Sequence, residues 1–175
     1  VLTYSVQTGR RTDNPIRDTQ GAFAAPTREH FASIGPRGLP ELLKALEAYA
    51  GHPNTIGIIR MILWTGSRTG EVRGATPDEF DLDAAVWRIP ADRMKERRVH
   101  VVPLPKQAIP VLRELMKLNA DSRYMFPSPM SQSMASENIV LQALKKMGYG
   151  GKLTGHGLRA AVSTGLEEMG YPIEI

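Results

Sequence analysis

Thr65-Gly66-Ser67-Arg68-Thr69-Gly70-Glu71 is the stretch on which the reading of this chain turns. It follows an apolar helical run, Ile56 to Trp64, and leads into a short helical piece, Glu71-Val72-Arg73-Gly74. Glycines and threonines bracket Arg68, so the arginine sits at a tight break between two helices with its backbone held and its guanidinium directed outward. A guanidinium makes planar, bidentate contacts to phosphate oxygens. Arg68 therefore reads as the first half of a phosphate clamp, or, taken alone, as a surface arginine in a helix–helix turn.

Working outward, Pro40 opens a helix over Leu39–Ala50, with Leu42, Leu43, Leu46 and Tyr49 at helical spacing and Gly51 as its stop. Asn54–Trp64 is a second helix, with Asn54 as its cap and Ile58, Ile59, Ile62 and Leu63 in the core. Beyond the Arg68 break the period changes. Phe80-Asp81-Leu82, Val86-Trp87-Arg88-Ile89 and Val99-His100-Val101-Val102-Pro103 read as three strands of a small antiparallel sheet, the first two joined by a turn at Asp83-Ala84-Ala85. Three more helices follow: Gln107–Leu118, which tolerates Pro110 only in its first turn; Ser136–Met147, capped by Ser136 and stopped by Gly148; and one from Thr154 or Gly155 to about Met169, with Gly170 as its stop. Residues 1–8 read as the end of a helix stopped by Gly9. Arg10–Gly38, punctuated by prolines and glycines, is longer than loops inside compact domains and reads as an interdomain linker.

Composition bounds the function. Hydrophobic residues make up 42% and charged residues 23% of the 175 positions, the balance of a globular domain. Aromatics, at 6%, are too few for base stacking to be the main recognition mode. The absence of Cys removes thiolate chemistry and disulfides and fits a reducing compartment. No apolar run approaches the roughly 20 residues a membrane span needs. The chain opens Val1-Leu2-Thr3-Tyr4, with neither Met nor a signal pattern, and reads as an excised fragment. A net charge of +4 permits nucleic-acid binding without demanding it. Arg93, Lys95, Arg97 and Arg98 form one sharp basic cluster in the loop between the second and third strands. That cluster reads as a solvated turn, or as a loop whose lysine, its pKa lowered by neighbouring positive charge, reaches into a scissile bond and donates a proton to the leaving oxygen. His156 and Arg159, three apart at the start of a helix, share a face and lie at a helix N-terminus that favours anions; a lone pair of this kind is more often a solvated surface or a satisfied core histidine. There is no P-loop, no G-x-G-x-x-G, no G-x-S-x-G, and no two-metal carboxylate set. His30, His52, His100 and His156 are scattered without zinc spacing.

Order joins these weak signals. An arginine in T-G-x-R-x-G-E, a lysine in a β-hairpin loop and an H-x-x-R opening a late helix together resemble the tyrosine recombinases, the phage-integrase family, most of all its prophage and genomic-island members. The resemblance is carried by Leu63–Gly74, by Trp87–Lys95 with Arg98–Leu104, by Phe126-Pro127-Ser128, and by Thr154-Gly155-His156-Gly157-Leu158-Arg159-Ala160. It implies a mainly helical α+β catalytic-domain fold with a three-stranded antiparallel sheet over residues 39–175, preceded in 1–38 by the end of a core-binding domain and a linker. It also implies that Arg68 and Arg159 clamp the scissile phosphate. Lys95 is then the general acid for the 5′ oxygen, His156 assists proton transfer, Glu71 orients the first arginine, and Arg93, Arg97 and Arg98 meet DNA. No metal or cofactor is implied, because arginines stabilise the charge that builds on the nonbridging oxygens. The expected partner is duplex DNA at attachment sites, in the bacterial cytoplasm at the nucleoid, bound by a tetramer of the full-length protein and by a monomer of this fragment. The family's nucleophilic tyrosine and its second His or Trp come after the H-x-x-R helix. Here the chain ends sixteen residues past Arg159, and Tyr171 stands too near, in a turn before Pro172. These residues alone are therefore expected not to cleave DNA; a catalytically degenerate DNA-binding remnant is the alternative. Ala75-Thr76-Pro77 departs from the tryptophan common in relatives, which bears on packing.

Overall fold

The computed structural model describes residues 2–14, 32–94 and 96–171. The chain divides into two compact units, Val1–His30 and Phe31–Ile175. In the first, helix α1 spans Leu2–Gln7 and ends at Gly9, whose left-handed backbone turns the chain; residues 15–31 of the expected linker lie outside the described residues. The second unit starts ahead of the expected boundary at residue 38, because residues 32–38 pack on its last helix. Thr154 N–H donates to the Ala32 carbonyl at 3.3 Å, and the Ser33 hydroxyl donates to the Gly157 carbonyl at 3.2 Å.

The second unit is mainly helical: α2 (Leu39–Glu47), α3 (Pro53–Thr65), α4 (Thr69–Arg73), α5 (Ala108–Leu118), α6 (Ile139–Leu144) and α7 (Gly155–Glu168). Helix α3 is the hub. Its Ile58, Ile59, Met61 and Ile62 are fully buried, and it packs against α4, α5, α6 and α7. A helix apolar around most of its circumference belongs inside. Of the α2 leucines at helical spacing, Leu42 and Leu46 are buried and Leu43 is exposed. Asn54 does not cap α3. That role falls to His52, whose Nδ1 accepts the Asn54 N–H at 3.2 Å. Asn54 is instead buried against Asn119 at the end of α5. Their amides bond reciprocally at 3.2 and 2.8 Å and reach the carbonyls of Pro127 and Met125. Ser136 likewise sits one turn ahead of α6, in a turn closed by the Ile139 N–H on its carbonyl at 3.1 Å. Past α6 the helix widens over Lys145–Tyr149 and breaks at Gly148, the expected stop, whose φ is 87°.

The sheet is three-stranded and antiparallel in the order β1 (Phe80–Asp81), β2 (Val86–Ile89), β3 (His100–Pro103), with Trp87 opposite both Phe80 and Val102. Trp87 is fully buried and stacks on Phe80, with ring centroids 5.4 Å apart. In the β1–β2 turn the Asp81 carboxylate accepts the Ala84 N–H at 2.9 Å. That backbone bond, helped by Arg88, holds the Asp81 carboxyl below its ordinary range. Among the described residues no helix is long and apolar enough to cross a membrane.

Candidate active site

The corner between α3 and α4 is built by its own sequence. Gly66 takes the left-handed conformation (φ 64°) that ends α3, its N–H bonded to the Ile62 carbonyl. The Thr65 hydroxyl donates to the Met61 carbonyl at 2.6 Å and lies 2.9 Å from the buried Ser67 hydroxyl. Arg68 then stands in extended backbone as the N-cap of α4. Glu71, three residues on, holds it twice: one carboxylate oxygen accepts the Arg68 backbone N–H at 2.8 Å, as in the return half of a capping box, and the other takes its guanidinium at 2.7 Å. The Arg68 side chain is 53% exposed and the Glu71 side chain only 12%. The carboxylate is therefore a fixed support, and the guanidinium keeps open donors.

Across from this corner, α7 begins at Thr154, whose hydroxyl accepts the Gly157 N–H at 3.0 Å. Arg159, Val162, Ser163 and Leu166 follow at helical spacing and form one face. That face and the α3–α4 corner enclose a cavity of about 440 Å³, lined also by Met94, Glu96 and His100 from the β2–β3 side. Arg68, Glu71 and Arg159 thus meet in one cleft. Arg159 has no hydrogen-bond or ion-pair partner among the described residues. Two permanently charged planar donors, Arg68 braced by Glu71 and Arg159 unpartnered among the described residues, face a cleft that Glu96 also lines, and their open N–H groups suit a tetrahedral anion.

The other expected residues sit differently. His156 is exposed, one turn nearer the start of α7, and is not among the residues lining the cavity. Lys95 lies outside the described residues. Arg97 and Arg98 are exposed in the hairpin loop, whereas Arg93 turns inward onto the Glu79 carboxylate and the Glu71 carbonyl. His100 and Glu96 line the cleft without having been singled out by motif. Their signal was position, Glu96 within the basic cluster and His100 just beyond it. Among the described residues no three His, Asp or Glu side chains are grouped to hold a metal.

Known proteins resemble this chain throughout. The sequence profile described as the phage integrase family matches residues 34–175. The integrase of Enterobacteria phage P4 is 35% identical over 97% of this chain and 42% of its own length. Prophage integrase IntA of Escherichia coli (strain K12) is 36% identical over 100% of this chain and 43% of its own. The chain thus spans less than half the length of these curated relatives. Among solved structures, the Tn1549 transposon integrase in complex with a circular intermediate DNA superposes with a TM-score of 0.77 at 14% identity, covering 97% of this chain and 64% of that one. A lambda integrase dimer bound to a COC′ core site gives 0.64 at 13%, over 97% and 63%. At such identities the likeness is one of fold.

Proposed function

Because this chain belongs to the phage integrase family, we propose that it forms the catalytic domain of a tyrosine site-specific recombinase that breaks and rejoins duplex DNA at attachment sites. The observation that carries this reading is the meeting of Arg68 and Arg159 in one cleft, with Glu71 bracing the first. The two guanidiniums take the nonbridging oxygens of the scissile phosphate and stabilise the charge that grows there in the transition state. A tyrosine hydroxyl, supplied by the part of the family fold that follows α7, attacks phosphorus. The O–P bond to tyrosine forms as the P–O5′ bond breaks; His156 assists by taking the tyrosine's proton, and the departing 5′ oxygen takes a proton from Lys95. A 5′-hydroxyl of the partner strand reverses the step. The ester energy stays in the 3′-phosphotyrosyl link, so no nucleotide is consumed. The full-length protein acts as a tetramer on two duplexes.

A suicide substrate, which traps the covalent intermediate, tests this in the full-length protein. Arg68→Ala and Arg159→Ala are each expected to lower the rate of covalent capture by about 100-fold or more while duplex binding persists. Capture at the wild-type rate by either variant refutes the clamp. Binding of DNA with no capture by the wild-type protein identifies a degenerate DNA-binding remnant instead.

A further inference from the structure

Arg93 was grouped by sequence with the exposed basic residues of the hairpin loop, but its environment is of another kind. Its side chain is 21% exposed, and its guanidinium donates to the Glu79 carboxylate and to the Glu71 backbone carbonyl. Glu79 is itself fixed: its side chain is 5% exposed, and it accepts the Trp87 indole N–H at 2.8 Å and the Thr76 hydroxyl at 3.3 Å. Trp87 is fully buried in the central strand. The other end of the bridge is just as specific. In α4 the Gly74 N–H bonds to the Gly70 carbonyl and the Ala75 N–H to the Val72 carbonyl. The Glu71 carbonyl between them, an orphan of the last turn, is left to Arg93. A five-residue helix has little stability of its own. Its place is set by what grips it, and the residue gripped is the one whose carboxylate holds Arg68.

We propose that Arg93 is a positioning residue: by locking α4 to the sheet through Glu79 and the Glu71 carbonyl, it fixes Glu71 and through it the guanidinium of Arg68. The chain of contacts runs Trp87, Glu79, Arg93, Glu71, Arg68, from the buried sheet to the cleft. Arg93 is then not a DNA contact, and its loss acts on the chemical step. This inference rests on the reading of Arg68 as a phosphate clamp.

The test is single-turnover cleavage and duplex affinity of the full-length protein with two variants, each measured on an ordinary duplex and on one carrying a methylphosphonate at the scissile position. The methyl group replaces a nonbridging oxygen and removes the charge that a clamp arginine serves. Arg93→Met removes the bridge. Glu79→Gln/Arg93→Met removes it without leaving a buried carboxylate unpaired, so that the fold survives. Both are expected to slow cleavage of the ordinary duplex by about 100-fold, the scale of a 1 Å misplacement. Both should bind it within about two-fold of wild type, and both should recover most of the rate on the methylphosphonate, as Arg68→Ala is expected to do. Wild-type cleavage by the double variant overturns the proposal, as does weakened DNA binding at an unchanged rate. So does an equal defect on both duplexes when Arg68→Ala is rescued. Failure of Arg68→Ala itself to be rescued refutes the clamp reading, and the role of Arg93 with it.

Discussion

Gly157 stands directly against the Ala32 carbonyl: a Cβ built on it would lie 2.1 Å from that oxygen. The glycine between His156 and Arg159 is there because residues 32–34 cross the start of α7 at backbone contact, an approach no side chain permits. Gly157→Ala is expected to push that segment off, lengthen the Thr154 N–H bond to Ala32, and cost about 2 kcal/mol, the usual scale of overpacking. In a thermal melt this is a fall of roughly 4–8 °C. Gly165→Ala, in the same helix but with its nearest neighbour at 3.5 Å, is expected to be neutral or to raise the midpoint by relieving glycine's helix penalty. Equal midpoints for the two variants would contradict this account. At this scale the sequence showed which side chains carry charge but not what their backbones touch. Arg68 and Arg159 were legible because a break between helices and a helix start can be read from glycines and spacing. The inward turn of Arg93 was not, because its partners Glu79 and Glu71 lie fourteen and twenty-two residues away and become neighbours only when the sheet folds back on α4.

Helices and strands were legible where their period was strong, as in α3, α5, α7 and the Val86–Ile89 strand, and less so at their ends. Asn54 is the instructive case. An asparagine ahead of an apolar run has the composition of a cap, yet the neighbouring His52 takes that role, and Asn54 becomes the polar pin between α3, α5 and the segment around Pro127. Local propensity cannot foresee a partner sixty-five residues away. Asn54 and Asn119 satisfy each other and two carbonyls in a buried interface, so removing one strands the rest. Asn54→Ala is expected to lower the urea unfolding free energy by about 3 kcal/mol, most of it the cost of unpaired buried groups. Asn54→Leu/Asn119→Leu is expected to cost less than the sum of the two single leucine variants, since it removes donor and acceptor together. Strict additivity in that cycle would mean that the reciprocal amide bonds contribute no coupling.

For the whole molecule, a net charge of +4 is too small to dictate a partner, and placement matters more. Glu71, Glu79 and Asp81 each sit against an arginine, which cancels charge within the fold. The exposed Arg97 and Arg98 in the hairpin loop and Arg159 in the cleft have no ion-pair partner among the described residues, and Arg68 keeps donors open beside Glu71. On the proposed reading a duplex lying over the cleft meets the hairpin loop as well, and each phosphate neutralised there releases condensed counterions. Affinity for duplex DNA should therefore fall linearly in log–log form with salt. Arg97→Ala and Arg98→Ala are each expected to flatten the slope by about one and to weaken binding alike on attachment-site and unrelated sequences, the behaviour of phosphate rather than base contacts. Arg93→Met provides the contrast: a guanidinium already spent on Glu79 and the Glu71 carbonyl releases no counterion, so its slope should match wild type. Fluorescence anisotropy across a salt series decides the matter. A flattened slope for Arg93→Met with unchanged slopes for Arg97→Ala and Arg98→Ala would invert the assignment of which arginines face DNA and which hold the clamp.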